Sequence, residues 1–267
     1  MTQNYQYAFS SKMPSMYNVQ SREQKARTMI AVLADHWGGE PNLGELIVLD
    51  VGSSTGIIDN FLSQYFKRTI GIDIDTDALA HASSTYNKEN LIFIEADALN
   101  MSFPENSFDV VICSQIYEHV PDPAKLISEI HRVLKPSGVC YFSAGNRINV
   151  MEPHYRLPFL SMLPKPLANL YMKLAGKGSH YYENHLTYWG LKKLTRFFAC
   201  HDYTKKMVNQ PGEFAIEYMV SSKGLKGNLV RIFARYFYSL FPNYIWLLEK
   251  MPHDPQNESA QQQKAFK

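Results

Sequence analysis

Cysteine is scarce, with three in 267 residues at Cys113, Cys140 and Cys200. They lack the paired spacing of a zinc or redox site, and the first two fall inside apolar strand patterns. They therefore read as reduced, buried small hydrophobes, which excludes a disulfide framework. No apolar run approaches the roughly 18 residues that a spanning helix needs. The opening Met-Thr-Gln-Asn-Tyr-Gln-Tyr-Ala-Phe lacks the charged and apolar regions of a signal peptide, so a cytoplasmic chain is expected. Strong charge of either sign is missing too. The formal net charge is +2 and the pI about 8.3, below the range of a committed nucleic-acid module, and no RNA-binding motif is present. No nucleic-acid partner is expected.

What is present suits one large folded domain with an elaboration, since 45% of the residues are hydrophobic. The most informative stretch is Val48-Leu-Asp-Val-Gly-Ser-Ser-Thr-Gly56, an apolar run ending in an acid and a Gly/Ser turn. A parallel strand hands over to a ligand-binding helix in this way: glycine permits a sharp turn and close approach, and the helix N-terminus offers unpaired N–H groups. Dinucleotide, phosphate and sulfonium-nucleoside sites all use such turns, and many are only tight turns. A second strand, Arg68-Thr-Ile-Gly-Ile-Asp73, ends in acid 23 residues beyond Asp50, the spacing of one βαβ unit. An acid there can accept both hydroxyls of an adenosine ribose. Leu91-Ile-Phe-Ile-Glu-Ala-Asp97-Ala98 and Phe108-Asp-Val-Val-Ile-Cys-Ser114-Gln-Ile-Tyr-Glu118-His119 follow, then Leu134-Lys-Pro-Ser-Gly138 leading into Val139-Cys-Tyr-Phe-Ser-Ala144. Singly, each strand-terminal acid is often a turn or capping residue. Together they keep one register.

In this order the motifs resemble the class I S-adenosylmethionine-dependent methyltransferases across roughly residues 46–145. The resemblance implies an α/β fold: a doubly wound, mostly parallel seven-stranded Rossmann-like sheet with an antiparallel last strand and a helical, aromatic insertion after strand five. It implies S-adenosyl-L-methionine as cofactor. Asp50, Gly52, Ser53, Ser54 and Gly56 match the loop around its methionine part, Asp73 the ribose acid, and Ile74 an apolar position against adenine. Asp97 matches the acid that receives the adenine amino group, with Ala98 beside it; Ser114 and Gln115 match positions near the methionine moiety and the transferred methyl. Ser54 departs from the pattern, standing where the family usually has its middle glycine, and is read as tolerated variation.

The expected organisation is an N-terminal helical cap (1–45), a cofactor-binding core (46–145), a substrate-side insertion that also completes the sheet (146–250) and a disordered tail (251–267). A leading helix within 17–37 carries Arg22 and Arg27; either could reach the cofactor carboxylate, but a solvated helix face is the better expectation for both. Residues 146–188 are rich in aromatics, prolines and histidines, the mixture of a substrate pocket or of a cap packed by its own rings. A helix over 188–198, a strand near 201–208, a helix over 228–240 and a final strand over 244–248 are expected to follow. Residues 161–235 hold 12 Lys/Arg against 4 Asp/Glu. This basic, aromatic-rich half suits an anionic substrate such as a lipid-linked glycan, or peripheral contact with the inner membrane surface, with a plain solvated surface as the alternative.

A sulfonium methyl is already electrophilic, so an enzyme of this kind must chiefly position a nucleophile. A neutral histidine can take a hydroxyl proton, and His119, His154 and His185 are the candidates, His119 first because it follows the fourth strand. The Tyr117-Glu-His-Val-Pro-Asp-Pro123 segment is also similar to that of ubiquinone-pathway O-methyltransferases, where acids and this histidine are associated with a metal. Here Gln115 replaces one of those acids, so no metal is expected. No Asn/Asp-Pro-Pro-aromatic motif follows the fourth strand, which argues against amino methylation of nucleic acid. Residues 153–158 and the Tyr-rich segment look like methyltransferases of bacterial glycan or lipid-linked saccharide synthesis. The expected function is methyl transfer to a hydroxyl of a sugar, lipid-linked glycan or small metabolite. Quinone or other aromatic methylation is the alternative, and a non-catalytic cofactor-binding regulatory or scaffold protein a third reading. Oligomeric state is left open.

Overall fold

A computed structural model describes residues 8–251. Seven strands form one sheet in the order β3-β2-β1-β4-β5-β7-β6. They are β1 (Ile47–Val51), β2 (Arg68–Asp73), β3 (Leu91–Glu95), β4 (Phe108–Ser114), β5 (Leu134–Gly145), β6 (Phe198–Asp202) and β7 (Asn243–Lys250). The first five pair in parallel, whereas β7 runs antiparallel to both β5 and β6. Chain order reverses between β1 and β4, so a crevice opens beyond their carboxyl ends, where ligands bind in open α/β sheets.

The helices are α1 (Phe9–Lys12), α2 (Val19–Trp37), α3 (Ile57–Leu62), α4 (Thr76–Thr85), α5 (Pro123–Val133), α6 (Lys165–Leu174), α7 (Tyr188–Leu194), α8 (Tyr203–Asn209) and α9 (Leu225–Tyr236). Short polar residues start three of them. Asn18, Asp75 and Asp122 each accept a backbone N–H of the first turn of α2, α4 and α5, satisfying a donor that the helix leaves open. Apolar residues cover both sheet faces. Ala26, Met29, Ile30 and Leu33 of α2 pack with Val48, Ile112 and Tyr141, while Leu126, Ile127 and Ile130 of α5 pack with Leu49, Val111 and Phe142.

Between β5 and α7 lies the expected insertion, with a small core of its own made by Leu157, Leu160, Ala168, Met172 and Tyr181. The expected fold class holds, including the antiparallel last strand. Two local expectations do not. The strand near 201–208 lies earlier, at Phe198–Asp202, because Asp202 accepts the Thr204 N–H and starts α8 over the remaining residues. The helix expected over 188–198 stops at Leu194. The disordered tail expected from 251 lies, beyond Met251, outside the described residues. No described helix is long and apolar enough to cross a membrane.

Candidate active site at the carboxyl ends of the strands

The turn after β1 is built as its glycines require. Gly52 and Gly56 have φ of 83° and 73°, and the Gly52 and Ser53 N–H groups both donate to the Ile72 carbonyl at the end of β2. A Cβ on Gly52 would run into the side chain of Ile116, just beyond β4, so the turn and the strand-four loop face each other across a gap that only glycine leaves open. Ser54, at the expected middle glycine, is left-handed with φ of 52°. That conformation costs a non-glycine residue about 1–2 kcal/mol. Two bonds hold it: its N–H donates to Asp73 at 2.8 Å, and its hydroxyl meets that of Ser10 at 2.7 Å.

Asp73 sits at the carboxyl end of β2 and accepts the Ser54 and Asp75 N–H groups, one on each oxygen. Its carboxylate thus shapes the turn and still has lone pairs for a ligand. Burial raises its pKa, and the bonds from the Asp75 and Ser54 N–H groups oppose the rise. Asp50 is buried, and burial pushes it up to about 7 against the attraction of Arg22. Arg22 corrects the sequence reading. It is 8% exposed, not on a solvated face, and it acts electrostatically on Asp50, Asp59 and Asp73 with its Nε lacking any partner among the described residues. Arg27 is exposed, as expected, and pairs with Glu23.

Ile74 and Ala98 are half-buried, and Asp97 is exposed in the loop after β3, where it accepts the Leu99 N–H. Ser114 ends β4. Gln115 follows with φ of 60°, and its amide donates to Ser143 of β5 and Asn243 of β7, bracing three strand ends together.

Beside this crevice the three candidate histidines meet. Ring centroids of His119 and His154 are 4.9 Å apart, and those of His154 and His185 are 6.2 Å apart. Phe9 packs on His119 at 5.2 Å, and its neighbour Ser10 is bonded to Ser54 and Asp75. The N-terminal segment therefore bridges the turn after β1 to the histidines. Residues 183–186 reach the cluster because the Asn184 N–H donates to the Glu118 carbonyl and the Leu186 N–H to the Tyr117 hydroxyl, while Tyr117 donates to Gly145.

Three acids complete the cluster. Glu152 is fully buried; it accepts the His154 and Tyr155 N–H groups on one oxygen and meets His154 Nδ1 at 2.7 Å with the other. Burial alone would raise its pKa, yet the bond to His154 and the neighbouring imidazoles hold it at about 2. Burial likewise works to lower His154, but Glu152 raises it above its ordinary value. His119 is pushed down to about 3 by burial and by the other two imidazoles. Both oxygens of Glu118 and one of Glu183 are buried without a hydrogen-bond partner among the described residues. Sequence reasoning singled out the histidines, missed the acids, and named Arg22 but favoured a solvated face for it. Glu152, two residues before His154 across a proline, had the spacing of a side chain that caps its own turn.

A family model described as a methyltransferase domain matches residues 49–142. Residues 49–142 thus form a methyltransferase domain, about a third of the chain. A ubiquinone biosynthesis O-methyltransferase of Psychrobacter arcticus is 32% identical over 61% of this chain and 62% of its own length. One from Pseudomonas fluorescens is 39% identical over 40% of this chain and 47% of its own. The chain thus spans about half the length of the curated relatives it matches. A solved S-adenosylmethionine-dependent methyltransferase from Mesorhizobium loti shares the fold, with a TM-score of 0.51 and 18% identity over 78% of this chain and 92% of that one. S-adenosyl-L-methionine is the cofactor this domain implies. The residues present fit it: buried Arg22 and Ser53, each with an unpartnered polar atom, and the buried Asp50 and Asp59 supply both charge signs that an aminocarboxylate and a sulfonium call for. Glu152, His154, Glu183 and His185 lie outside the matched segment.

Proposed function

We propose that the protein transfers a methyl group from S-adenosyl-L-methionine to a hydroxyl of a sugar, lipid-linked glycan or comparable small molecule. The observation that carries the reading is the cluster of half-buried His119 and His154 with buried His185, joined through Phe9 and Ser10 to the glycine turn after β1. Asp73 would hold the ribose, Ile74, Asp97 and Ala98 the adenine, and Asp50, Gly52, Ser53, Ser54, Gly56 and Arg22 the methionine part; Ser114 and Gln115 would face the methyl. When bound, the cofactor supplies an electrophilic carbon whose departure leaves a neutral thioether. The chain's own residues supply alignment, which is worth up to about 7–11 kcal/mol. The cluster adds polar groups that orient an acceptor hydroxyl and help it lose its proton.

A second reading, methylation of a quinone-type hydroxyl, is favoured by the likeness to ubiquinone biosynthesis O-methyltransferases. Incubating the protein with methyl-labelled cofactor and a fractionated extract separates the two. Label in an acid-labile lipid-linked or sugar fraction is expected, and label in a quinone fraction would move the assignment there. Tight cofactor binding with no labelled product would leave the non-catalytic reading.

Peripheral membrane contact belongs to the same proposal. On α9, Leu225, Leu229, Ile232 and Tyr236 recur at helical spacing and are between 52% and 75% exposed, with Lys226 and Arg235 exposed alongside. On α6, Leu167, Leu170 and Leu174 form a similar exposed stripe beside Lys173. Apolar stripes flanked by cations suit an anionic lipid surface. Phosphatidylglycerol vesicles should co-sediment the protein, less so as salt rises, and Leu229→Glu with Ile232→Glu should abolish the effect. Equal binding by that variant would sink the idea, and a salt-insensitive dimer lost in the variant would assign the face to a second copy.

A further inference from the structure

Beside the Glu152–His154 pair, the insertion buries further polar atoms that lack partners among the described residues. Glu152, Glu183 and His185 are buried to within 8% of full exclusion, yet Glu183 Oε2 and both ring nitrogens of His185 have no hydrogen-bond partner among the described residues. Lys165 lies near, but its ammonium is taken by the carbonyls of Tyr181 and Glu183. Buried carboxylates of this kind are paired or hold a metal.

We propose that Glu152, His154 and His185 bind one divalent transition-metal ion. One ligand atom from each lies within 4.8 Å of the others, and Glu152 Oε1 stands 2.7 Å from His154 Nδ1 and 3.7 Å from His185 Nε2. Metal bonds of about 2.0–2.2 Å place neighbouring ligand atoms roughly 3–3.5 Å apart, so small side-chain shifts suffice. Two imidazoles and a carboxylate favour zinc, iron or manganese over magnesium or calcium, and three protein ligands leave positions open. Glu183 forms a second grouping with His119 and the shared His154, again within 4.8 Å. All three proposed ligands come from the insertion. The sequence expectation of no metal considered the loop after β4, where Gln115 replaces an acid.

The chemical consequence rests on the hydroxyl-methylation reading. An acceptor oxygen at an open position is polarised by the ion and loses its proton to water more readily. Its electron pair then forms the O–C bond to the methyl, while the C–S pair withdraws onto sulfur and cancels the sulfonium charge. The ion is neither oxidised nor reduced.

The test uses the full chain, stripped with a chelator and titrated with Co²⁺ while visible absorption is followed. One equivalent should bind with the spectrum of a low-coordinate nitrogen and oxygen site, and Zn²⁺ should displace it. His154→Gln and His185→Gln should each weaken Co²⁺ binding at least 10-fold while S-adenosylhomocysteine still binds. Absence of stoichiometric Co²⁺ binding by the unaltered chain overturns the site, as does unchanged affinity in both variants. Cofactor binding is read separately: a chain that binds cofactor but no cobalt keeps the methyltransferase reading and loses the metal, and the converse does the reverse.

Discussion

Asp73→Ala is expected to weaken S-adenosylhomocysteine binding by about 30- to 1,000-fold in isothermal titration. The carboxylate lies at the carboxyl end of the second strand and already accepts the Ser54 and Asp75 N–H groups. Each oxygen retains a lone pair for a ribose hydroxyl. A hydrogen bond to a charged acceptor contributes about 1.5–3 kcal/mol, so losing two, partly replaced by water, corresponds to about 2–4 kcal/mol. Alanine also frees the N–H of Ser54, a residue held at a φ of 52°, so the turn itself loosens. Asp73→Asn separates the two effects, because its amide oxygen can keep one backbone bond while the charge is gone. Affinity intermediate between wild type and alanine is the expected result. Full affinity in the alanine variant would remove the ribose contact from the proposal.

The sheet was readable from sequence because parallel strands covered on both faces are nearly continuous apolar runs. Four of them also carry a polar residue at or next to the same rim, at Asp50, Asp73, Glu95 and Ser114. Arg22 was misjudged for a physical reason: helical periodicity shows which face of α2 meets the sheet, but not that the turn at Pro14–Tyr17 folds back over its start, where Met16 Sδ lies 3.8 Å from the guanidinium. The strand near 201–208 was misplaced because a short apolar pattern suits strand and helix alike, and the capping role of Asp202 decides between them. The histidines could be named singly, but their meeting depends on contacts between residues 117–119 and 183–186 that no local pattern encodes. Gly56 and Gly71 offered a plainer lesson. A Cβ on either would strike protein atoms, Phe93 and Ala82 for the first and Asp59 and Ser53 for the second, so their packing alone explains them.

Those same contacts run through one side chain, and its removal should have the largest effect on stability. Tyr117 is fully buried, donates to the Gly145 carbonyl at 2.6 Å and accepts the Leu186 N–H at 3.1 Å. It therefore ties the loop after β4 to the end of β5 and to the segment carrying Glu183 and His185, with its ring 6.5 Å from that of His185. Tyr117→Phe keeps the ring but strands a buried N–H and a carbonyl, a loss of about 1–3 kcal/mol. Tyr117→Ala also empties the space beside Phe142, which it meets at 5.9 Å. Truncation of a buried aromatic costs about 3–5 kcal/mol. For a domain of this size 1 kcal/mol moves the melting temperature by about 2–4 °C, so calorimetry should resolve the two variants from wild type and from each other. If the tyrosine sets the insertion over the strand ends, the phenylalanine variant should lose methyl transfer more than cofactor affinity, because Asp73 and the turn after β1 stand apart from it. Parallel loss of both would mean that Tyr117 supports the whole sheet rim and not the insertion in particular.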